Sequence, residues 1–180
     1  MGYEMKPIYI FWIMIIAIFS FFSYSSTTGL SKDEKIVNQI TKETAKKLKE
    51  KKNLILIGTG GQMMYEIKML AMSFDYYQEV DLKTARELII YIINEYLSAI
   101  NGSKEIRPYL YEYPFTAKNV EIRIWVFEPN GSNPPLDKIY YISAIDGNLA
   151  YYLDLPETHS RRAIHKETYE RALQEIASSQ

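Results

Sequence analysis

The segment DLKTARELIIYIINEYLSAING, residues 81–102, decides how this chain folds. Its apolar side chains recur at intervals of three and four residues, which is the spacing of one helical face. Asp81 is a suitable N-cap residue, and Asn101-Gly102 supplies a stop signal. The apolar face consists of Leu82, Ala85, Leu88, Ile89, Ile92, Ile93, Tyr96, Leu97 and Ile100. We predict a long core helix on which a sheet packs.

The sequence after this helix predicts strands joined by turns. From Val120 to Phe127 apolar residues alternate with polar and aromatic ones, which indicates a strand with one apolar face. The loop 128–137 contains three prolines and an Asn-Gly pair, so we expect a long excursion there. Asp146-Gly147 then separates IYYISAI from NLAYYLDL, and this dipeptide predicts a tight hairpin with a type I′ turn.

The sequence before the core helix predicts one further helix and one or two strands. SKDE at 31–34 has the spacing of a capping box, and the helix that it starts ends at Asn53. The apolar run LILIG then indicates a buried strand. Residues 62–77 fit both a helical stripe and an alternating strand, and we favour the strand, in which case the glycines at 58–61 turn a hairpin or form a bulge.

A last helix is predicted over 166–177, after a lead-in that contains His159 and His165. The resulting order is αββαβββα, with most strands joined by hairpins. We therefore predict an α+β fold with an antiparallel sheet of about five strands and a central packing helix, after an N-terminal hydrophobic helix.

The apolar run at residues 7–22 predicts the destination of the protein. It follows a weakly positive start and precedes a small polar stretch, which is the order of a signal peptide, with a plausible cut after Ser25. It is at the short end for a retained membrane anchor, and that alternative stays open. We expect residues 1–25 to be a signal peptide or anchor that meets the membrane or the export machinery, 26–30 a linker, and 31–180 a single extracytoplasmic domain.

The composition excludes several classes of function. Lys and Arg number 21 and Asp and Glu 22, which gives a net charge of −1. A near-neutral chain lacks the basic excess that binds polyanions, so we expect no nucleic-acid partner. The absence of cysteine excludes disulfides, thiol catalysis and cysteine-ligated metals.

Two groups of aromatic residues form a candidate binding surface. Tyr109, Tyr111 and Tyr113 alternate, so in an extended chain they share one face. Trp125 and Phe127 lie on the strand face opposite the aliphatic residues. Such a surface could bind a protein or peptide partner, because tyrosine offers a large contact area with a polar tip. The alternative is that the tyrosine stretch forms a lid over the core. We favour this alternative.

Gly58, Thr59, Gly60 and Gly61 form a candidate anion loop. Glycines after a strand can bring backbone amides close to a phosphate when a helix follows. The spacing lacks the remaining residues of the dinucleotide and Walker motifs. A glycine turn or bulge in a sheet is the simpler interpretation, because glycine readily adopts positive φ.

No spacing of catalytic or ligating side chains indicates a reaction. His159 and His165 are not spaced as ligands on one helical face, and the chain has no G-x-S-x-G element. We therefore expect no catalytic residue, no cofactor and no metal site, and we favour a non-enzymatic protein. The alternatives are an envelope enzyme or nucleotide-binding protein that uses the loop 58–61, or a structural component of the envelope.

The chain resembles a family of small bacterial proteins that have an N-terminal signal or anchor segment and no known activity. The resemblance lies in LIGTGG at 56–61, DLKTARELI at 81–89, EYLSAIN at 95–101, IRPYLYEYPFTAKNVEIRI at 106–124 and IDGNLAYY at 145–152. It implies export and a single domain, and it carries over no catalytic residue.

Overall fold

The computed structural model describes residues 29–178. Its helices and strands are, in chain order, α1 (Lys32–Lys52), β1 (Ile55–Gln62), β2 (Met69–Tyr76), α2 (Leu82–Gly102), β3 (Val120–Val126), β4 (Tyr141–Ile145), β5 (Asn148–Leu155), β6 (Ser160–Thr168) and α3 (Tyr169–Ala177). Three short 3₁₀ turns, Arg107–Tyr109, Ala117–Asn119 and Pro156–Thr158, lie in the connections.

The six strands form one sheet in the order in which they occur along the chain. Neighbouring strands are antiparallel except β2 and β3, which run parallel because α2 crosses from the end of one to the start of the other. The turn between β4 and β5 has φ of 49° at Asp146 and 72° at Gly147, as expected for the predicted hairpin.

The core lies between α2 and one face of the sheet. Ile89, Ile92 and Ile93 of α2 are fully buried there, together with Ile122 and Ile124 of β3. The predicted apolar stripe of the helix is confirmed, although Leu82 and Leu97 at its margins are only half-buried.

Helices α1 and α3 pack beside α2. Thr41 of α1 and Tyr96 of α2 share a buried hydrogen bond of 2.9 Å between their hydroxyl oxygens. Burial raises the pKa of Tyr96 to about 12, an effect that the bond to Thr41 partly offsets. Tyr96 is therefore a neutral phenol that joins the two helices through a satisfied polar contact inside the core.

The segment 103–119 closes one end of the core. Ile106 and Phe115 are buried against it, as the lid interpretation of this segment predicts. Asn101, at the end of α2, accepts a hydrogen bond from the Phe115 amide at 2.8 Å and donates one to its carbonyl at 2.9 Å. A single amide side chain thus binds the segment as a neighbouring strand would.

The structure confirms the predicted α+β class and corrects the sheet. It is mixed and has six strands. The additional strand is β6, which lies within the predicted lead-in to the last helix, and α3 begins at Tyr169. Most side chains of β6 are exposed because it is an edge strand, so it lacks the apolar alternation that identifies strands in sequence.

The predicted buried strand at LILIG is also corrected. Strand β1 is the opposite edge of the sheet, and its residues are mostly exposed. The glycines at 58–61 lie inside this strand, with a bulge between Leu56 and Gly58, and the chain turns only at residues 63–68. Residues 69–76 form the strand that we favoured there.

The predicted N-terminal helix and the expected cut after Ser25 lie outside the described residues. Within 29–178, no helix combines the length and apolar character needed to cross a bilayer. The described residues from Lys32 onward belong to one compact unit.

Replacement of Asp81 by alanine should destabilise the fold by about 1 kcal/mol, because its carboxylate caps α2. It accepts a hydrogen bond from the Thr84 amide at 2.7 Å, and this bond lowers the pKa of Asp81. The stabilisation is therefore present above the pKa of the unfolded chain and is lost as the pH falls through the folded value. Denaturant unfolding of the full-length chain in mild detergent, followed by circular dichroism, measures both effects.

Asp81→Asn is the matched control, since asparagine caps helices as well as aspartate does. It should retain most of the stability at neutral pH and lose this part of the pH dependence. Equal destabilisation by both substitutions would contradict the capping assignment.

Candidate binding surface on the open face of the sheet

One face of the sheet carries no helix among residues 29–178. The helices lie on the other side, where α2 packs on β3 and β4. Because side chains alternate along a strand, every second residue of β2 to β5 points away from the helices. We call this the open face, and its members include Ala71, Ser73, Asp75, Glu121, Arg123, Trp125, Tyr141, Ser143, Ala150 and Tyr152.

The open face carries a row of aromatic rings. Trp125, Tyr141 and Tyr152 lie directly opposite one another on β3, β4 and β5. Their ring centroids are 5.1 Å apart between Trp125 and Tyr141, and 5.5 Å apart between Tyr141 and Tyr152. Beyond the ends of β2 and β3, Tyr77 stacks on Phe127 at 5.3 Å. We call these five residues the aromatic row.

Arg161 of β6 extends the aromatic row with a positive charge. The central carbon of its guanidinium lies 4.0 Å from the ring centroid of Tyr141 and 5.9 Å from that of Tyr152. Burial raises the pKa of Tyr141, and the charges of Arg161 and Arg123 offset only part of that effect. The phenol of Tyr141 therefore stays neutral, and its ring holds the guanidinium by a cation–π contact.

A concavity of about 480 Å³ adjoins the aromatic row. Its lining includes the small residues Ser143 and Ala150 and the larger side chains of Tyr152 and Lys166. Small side chains lower the surface between larger neighbours, so they form its floor. Within the described part of the chain, the Lys166 ammonium has no carboxylate partner. The concavity thus offers one free positive charge beside an aromatic ring.

The other charged groups of the open face nearly balance. Arg123 forms an ion pair with Glu121, two positions earlier on the same strand. Burial raises the pKa of Asp75, which lies in register with Trp125, although a hydrogen bond from Tyr77 partly offsets the effect. On β5, Asp154 lies in register with Arg161 of β6. The open face therefore combines the three aromatic rings of β3 to β5 with small and polar side chains, and it carries charges of both signs.

A buried polar cluster supports this region from the helix side of the sheet. One carboxylate oxygen of Glu167 accepts hydrogen bonds of 2.8 Å from the Arg86 guanidinium and from the Tyr151 hydroxyl. The Glu167 side chain is 3% exposed and that of Arg86 14% exposed. The second oxygen of Glu167 lies 3.5 Å from Nε2 of His165. The cluster ties α2 to β5 and β6, and so fixes the strands that carry Tyr152, Arg161 and Lys166.

The cluster shifts the pKa values of its members in opposite directions. Burial alone raises the pKa of Glu167, but the hydrogen bonds from Arg86 and Tyr151 outweigh it, and the net shift is downwards. Burial, followed by the contact with Glu167, raises the pKa of Tyr151. Glu167 is therefore ionised and Tyr151 is a neutral donor at neutral pH.

The predicted tyrosines lie at the other end of the sheet from the aromatic row. Tyr109 belongs to a 3₁₀ turn and packs partly against the core. Tyr111 and Tyr113 are exposed, and each has a cation over its ring, Lys68 at 4.9 Å and Arg107 at 4.5 Å. Because this segment is not an extended strand, the three rings do not form one face.

The structure thus separates the two groups of predicted residues. Tyr111 lies beside Lys68, which precedes β2, whereas Trp125 lies beside the far end of β2. At a rise of about 3.3 Å per residue, the two groups are about 20 Å apart. Trp125 and Phe127 instead join Tyr77, Tyr141, Tyr152 and Arg161, which sequence reasoning missed. Their one sequence signal is the recurrence of tyrosine on the polar side of strands.

The geometry that an anion loop requires is not present at Gly58, Thr59, Gly60 and Gly61. These residues belong to β1, and the next regular element is a strand in place of the helix on which that hypothesis depended. Within residues 29–178, no three histidine, aspartate or glutamate side chains converge as metal ligands would.

Comparison of the chain with protein-family models, with curated proteins and with solved structures finds no significant match.

Replacement of Arg86 by methionine should destabilise the fold by about 3 kcal/mol, because it leaves the buried carboxylate of Glu167 without its charge partner. The pKa of Glu167 is lowered in the folded state, so its contribution is present above the unfolded value and is lost as the pH falls through the folded value. Unfolding free energies measured between about pH 7 and about pH 3 should show this loss in the wild-type protein.

The double variant Arg86→Met with Glu167→Gln removes both charges and should recover part of the stability. Its pH dependence should lack the Glu167 component. A double variant as unstable as the sum of the two single variants would show that the two side chains do not interact.

Proposed function

We propose that this protein is an exported or membrane-anchored, non-enzymatic α+β domain that binds a protein or peptide partner on the open face of its sheet. The observation that carries the proposal is the aromatic row, which lies on a face that no helix covers within residues 29–178. Tyr77 is exposed and Trp125, Phe127 and Tyr152 are half-buried, whereas Tyr141 is buried beneath its neighbours.

The composition of the open face supports a protein partner. Tryptophan, tyrosine and arginine are enriched at protein interfaces, where they provide large contact areas and a polar tip. Trp125, Tyr141 and Arg161 are held by one another through ring and cation contacts, so little side-chain entropy is lost on binding. The neighbouring concavity contains the ammonium of Lys166. It provides a pocket for an acidic side chain or for the C-terminal carboxylate of the partner.

The place of action proposed here rests on the apolar run at residues 7–22. This run directs the chain to the export machinery or holds it in the membrane, and the domain from residue 31 then works outside the cytoplasm. The absence of cysteine suits a domain whose stability comes from its core alone.

Peptides selected from a random display library against the full-length chain in mild detergent should lose about thirtyfold in affinity, or about 2 kcal/mol, when Trp125 is replaced by alanine. Tyr152→Ala should also weaken binding, because both rings belong to the aromatic row. Isothermal titration calorimetry with each selected peptide measures these changes, and circular dichroism verifies that the variants are folded.

Tyr111→Ala is the matched control, since Tyr111 is an exposed aromatic residue at the distant end of the sheet. It should leave the affinities unchanged. If Tyr111→Ala lowers the peptide affinities and Trp125→Ala does not, the binding surface lies at the 107–113 segment, and the proposal is contradicted.

The proposed location has a separate test. In intact cells, a membrane-impermeant amine reagent should label the lysines of α1, which include the exposed Lys46, Lys49 and Lys51. Mass spectrometry of the native amino terminus then distinguishes the two forms: a terminus at or near Ser26 indicates cleavage, and an intact Met1 in the membrane fraction indicates an anchor. Labelling only after cell lysis would contradict export.

A further inference from the structure

The two edges of the sheet differ sharply in charge. Strand β6, at one edge, carries Arg161, Arg162, His165, Lys166 and Glu167. At the other edge, the chain from Leu54 to Tyr65, which includes β1, has no charged side chain. Charged residues are a common protection against pairing between sheet edges. One edge of this sheet is therefore protected, and the other is not.

The unprotected edge also exposes apolar side chains. Within residues 29–178, β1 pairs only with β2, so its outer row of backbone amides and carbonyls has no strand partner. Within β1, Ile55 is 38% exposed and Ile57 51% exposed. Met64 and Tyr65, in the turn that follows the strand, are 86% and 94% exposed. An exposed edge with free backbone groups and apolar side chains is a template for another strand.

One glycine of β1 has no explanation in the packing of this chain. Gly61 is needed, because an added Cβ would lie 3.0 Å from the Met69 carbonyl oxygen. Gly58 lies at the bulge that follows Leu56, a position where glycine is common. At Gly60 an added Cβ would make an ordinary contact of 3.7 Å, and the residue lacks the positive φ that favours glycine. Glycine weakens a strand, and its presence in one often marks the close approach of another backbone.

We propose that β1 pairs antiparallel with β1 of a second copy of this chain, about a two-fold axis at Gly60. An uncharged strand has no like charges that oppose pairing with its own copy. A two-fold axis perpendicular to the sheet relates two copies of one edge in antiparallel order, so this direction gives a closed pair that uses the same surface of both copies.

The register follows from the alternation of side chains. A two-fold axis through an antiparallel pair is perpendicular to the sheet, so it keeps the helices of both copies on one side and sets one residue opposite itself. With Gly60 at the axis, Thr59 lies opposite the partner's Gly61, and Gln62 lies opposite the partner's Gly58. The side chains of Thr59 and Gln62 are then each placed against a glycine.

The absence of native cysteine allows a direct test with single thiols in the full-length chain. Directly opposed residues of an antiparallel pair have Cα atoms about 4.5 to 5.5 Å apart, which is within reach of a disulfide. Gly60→Cys should therefore form a covalent dimer when the full-length chain is mildly oxidised in detergent. Arg162→Cys, at the protected edge, is the matched control and should remain monomeric.

A second variant keeps the test independent of the thiol. Thr59→Lys adds an exposed charge to the edge, and in the background of Gly60→Cys it should reduce the yield of covalent dimer at least tenfold. Without any thiol, sedimentation equilibrium in density-matched detergent should give twice the chain mass of 21.1 kDa for the wild type and the single mass for Thr59→Lys. Circular dichroism verifies that the variants are folded.

The proposal is overturned if Gly60→Cys dimerises no more than Arg162→Cys, or if Thr59→Lys leaves the yield and the mass unchanged. A folded wild-type chain that sediments as a monomer also overturns it. A cross-link between Gly60→Cys and a second single cysteine within residues 1–28 of the same chain, in place of the dimer, would likewise contradict pairing between copies.

Discussion

The burial of helix α2 against one face of the sheet is the interaction on which the rest of the structure depends. The helix connects β2 to β3, and this crossover makes the two strands parallel and places α2 over the middle of the sheet. Helices α1 and α3 pack against α2, so they lie on the same side of the sheet. Because the described chain has no fourth helix, the other face remains available for the aromatic row.

The same arrangement explains where the polar groups are buried. A charge inside the core is stable only when it is paired and fully hydrogen-bonded. Arg86 is paired in this way, because it reaches from α2 to Glu167 on β6, and the Tyr151 hydroxyl donates to the same oxygen. Among the described residues, the second oxygen of Glu167 has no hydrogen-bond partner, and it lies 3.5 Å from Nε2 of His165. The fold therefore combines an apolar centre with one ionic contact at its margin, and that contact holds the charged edge strand against the helix layer.

The sequence predicts correctly those elements whose local pattern of apolar and polar residues matches their burial in the fold. The stripe of α2, its cap at Asp81 and the Asp146-Gly147 hairpin are all encoded within a few residues, and all three are present. Strand β6 was missed because Arg161, Arg162 and Lys166 belong to an edge, where no apolar alternation is required. Strand β1 was assigned to the interior because an apolar run does not reveal which strand lies at an edge. The aromatic row was found only in part, since Trp125, Tyr141 and Tyr152 are brought together by cross-strand register.

The order of the strands in the sheet, which is also their order in the chain, has a consequence for the way the protein reaches its fold. Each strand pairs with its neighbour in sequence. Only β2 and β3 are separated by a helix, so only this pair requires a helix to form between its strands. Apart from the long loop between β3 and β4, the connections within the other pairs are short, so little chain entropy is lost on closing them. The sheet can grow strand by strand as the chain is synthesised, because no early strand has to stay unpaired until a strand distant in sequence is made.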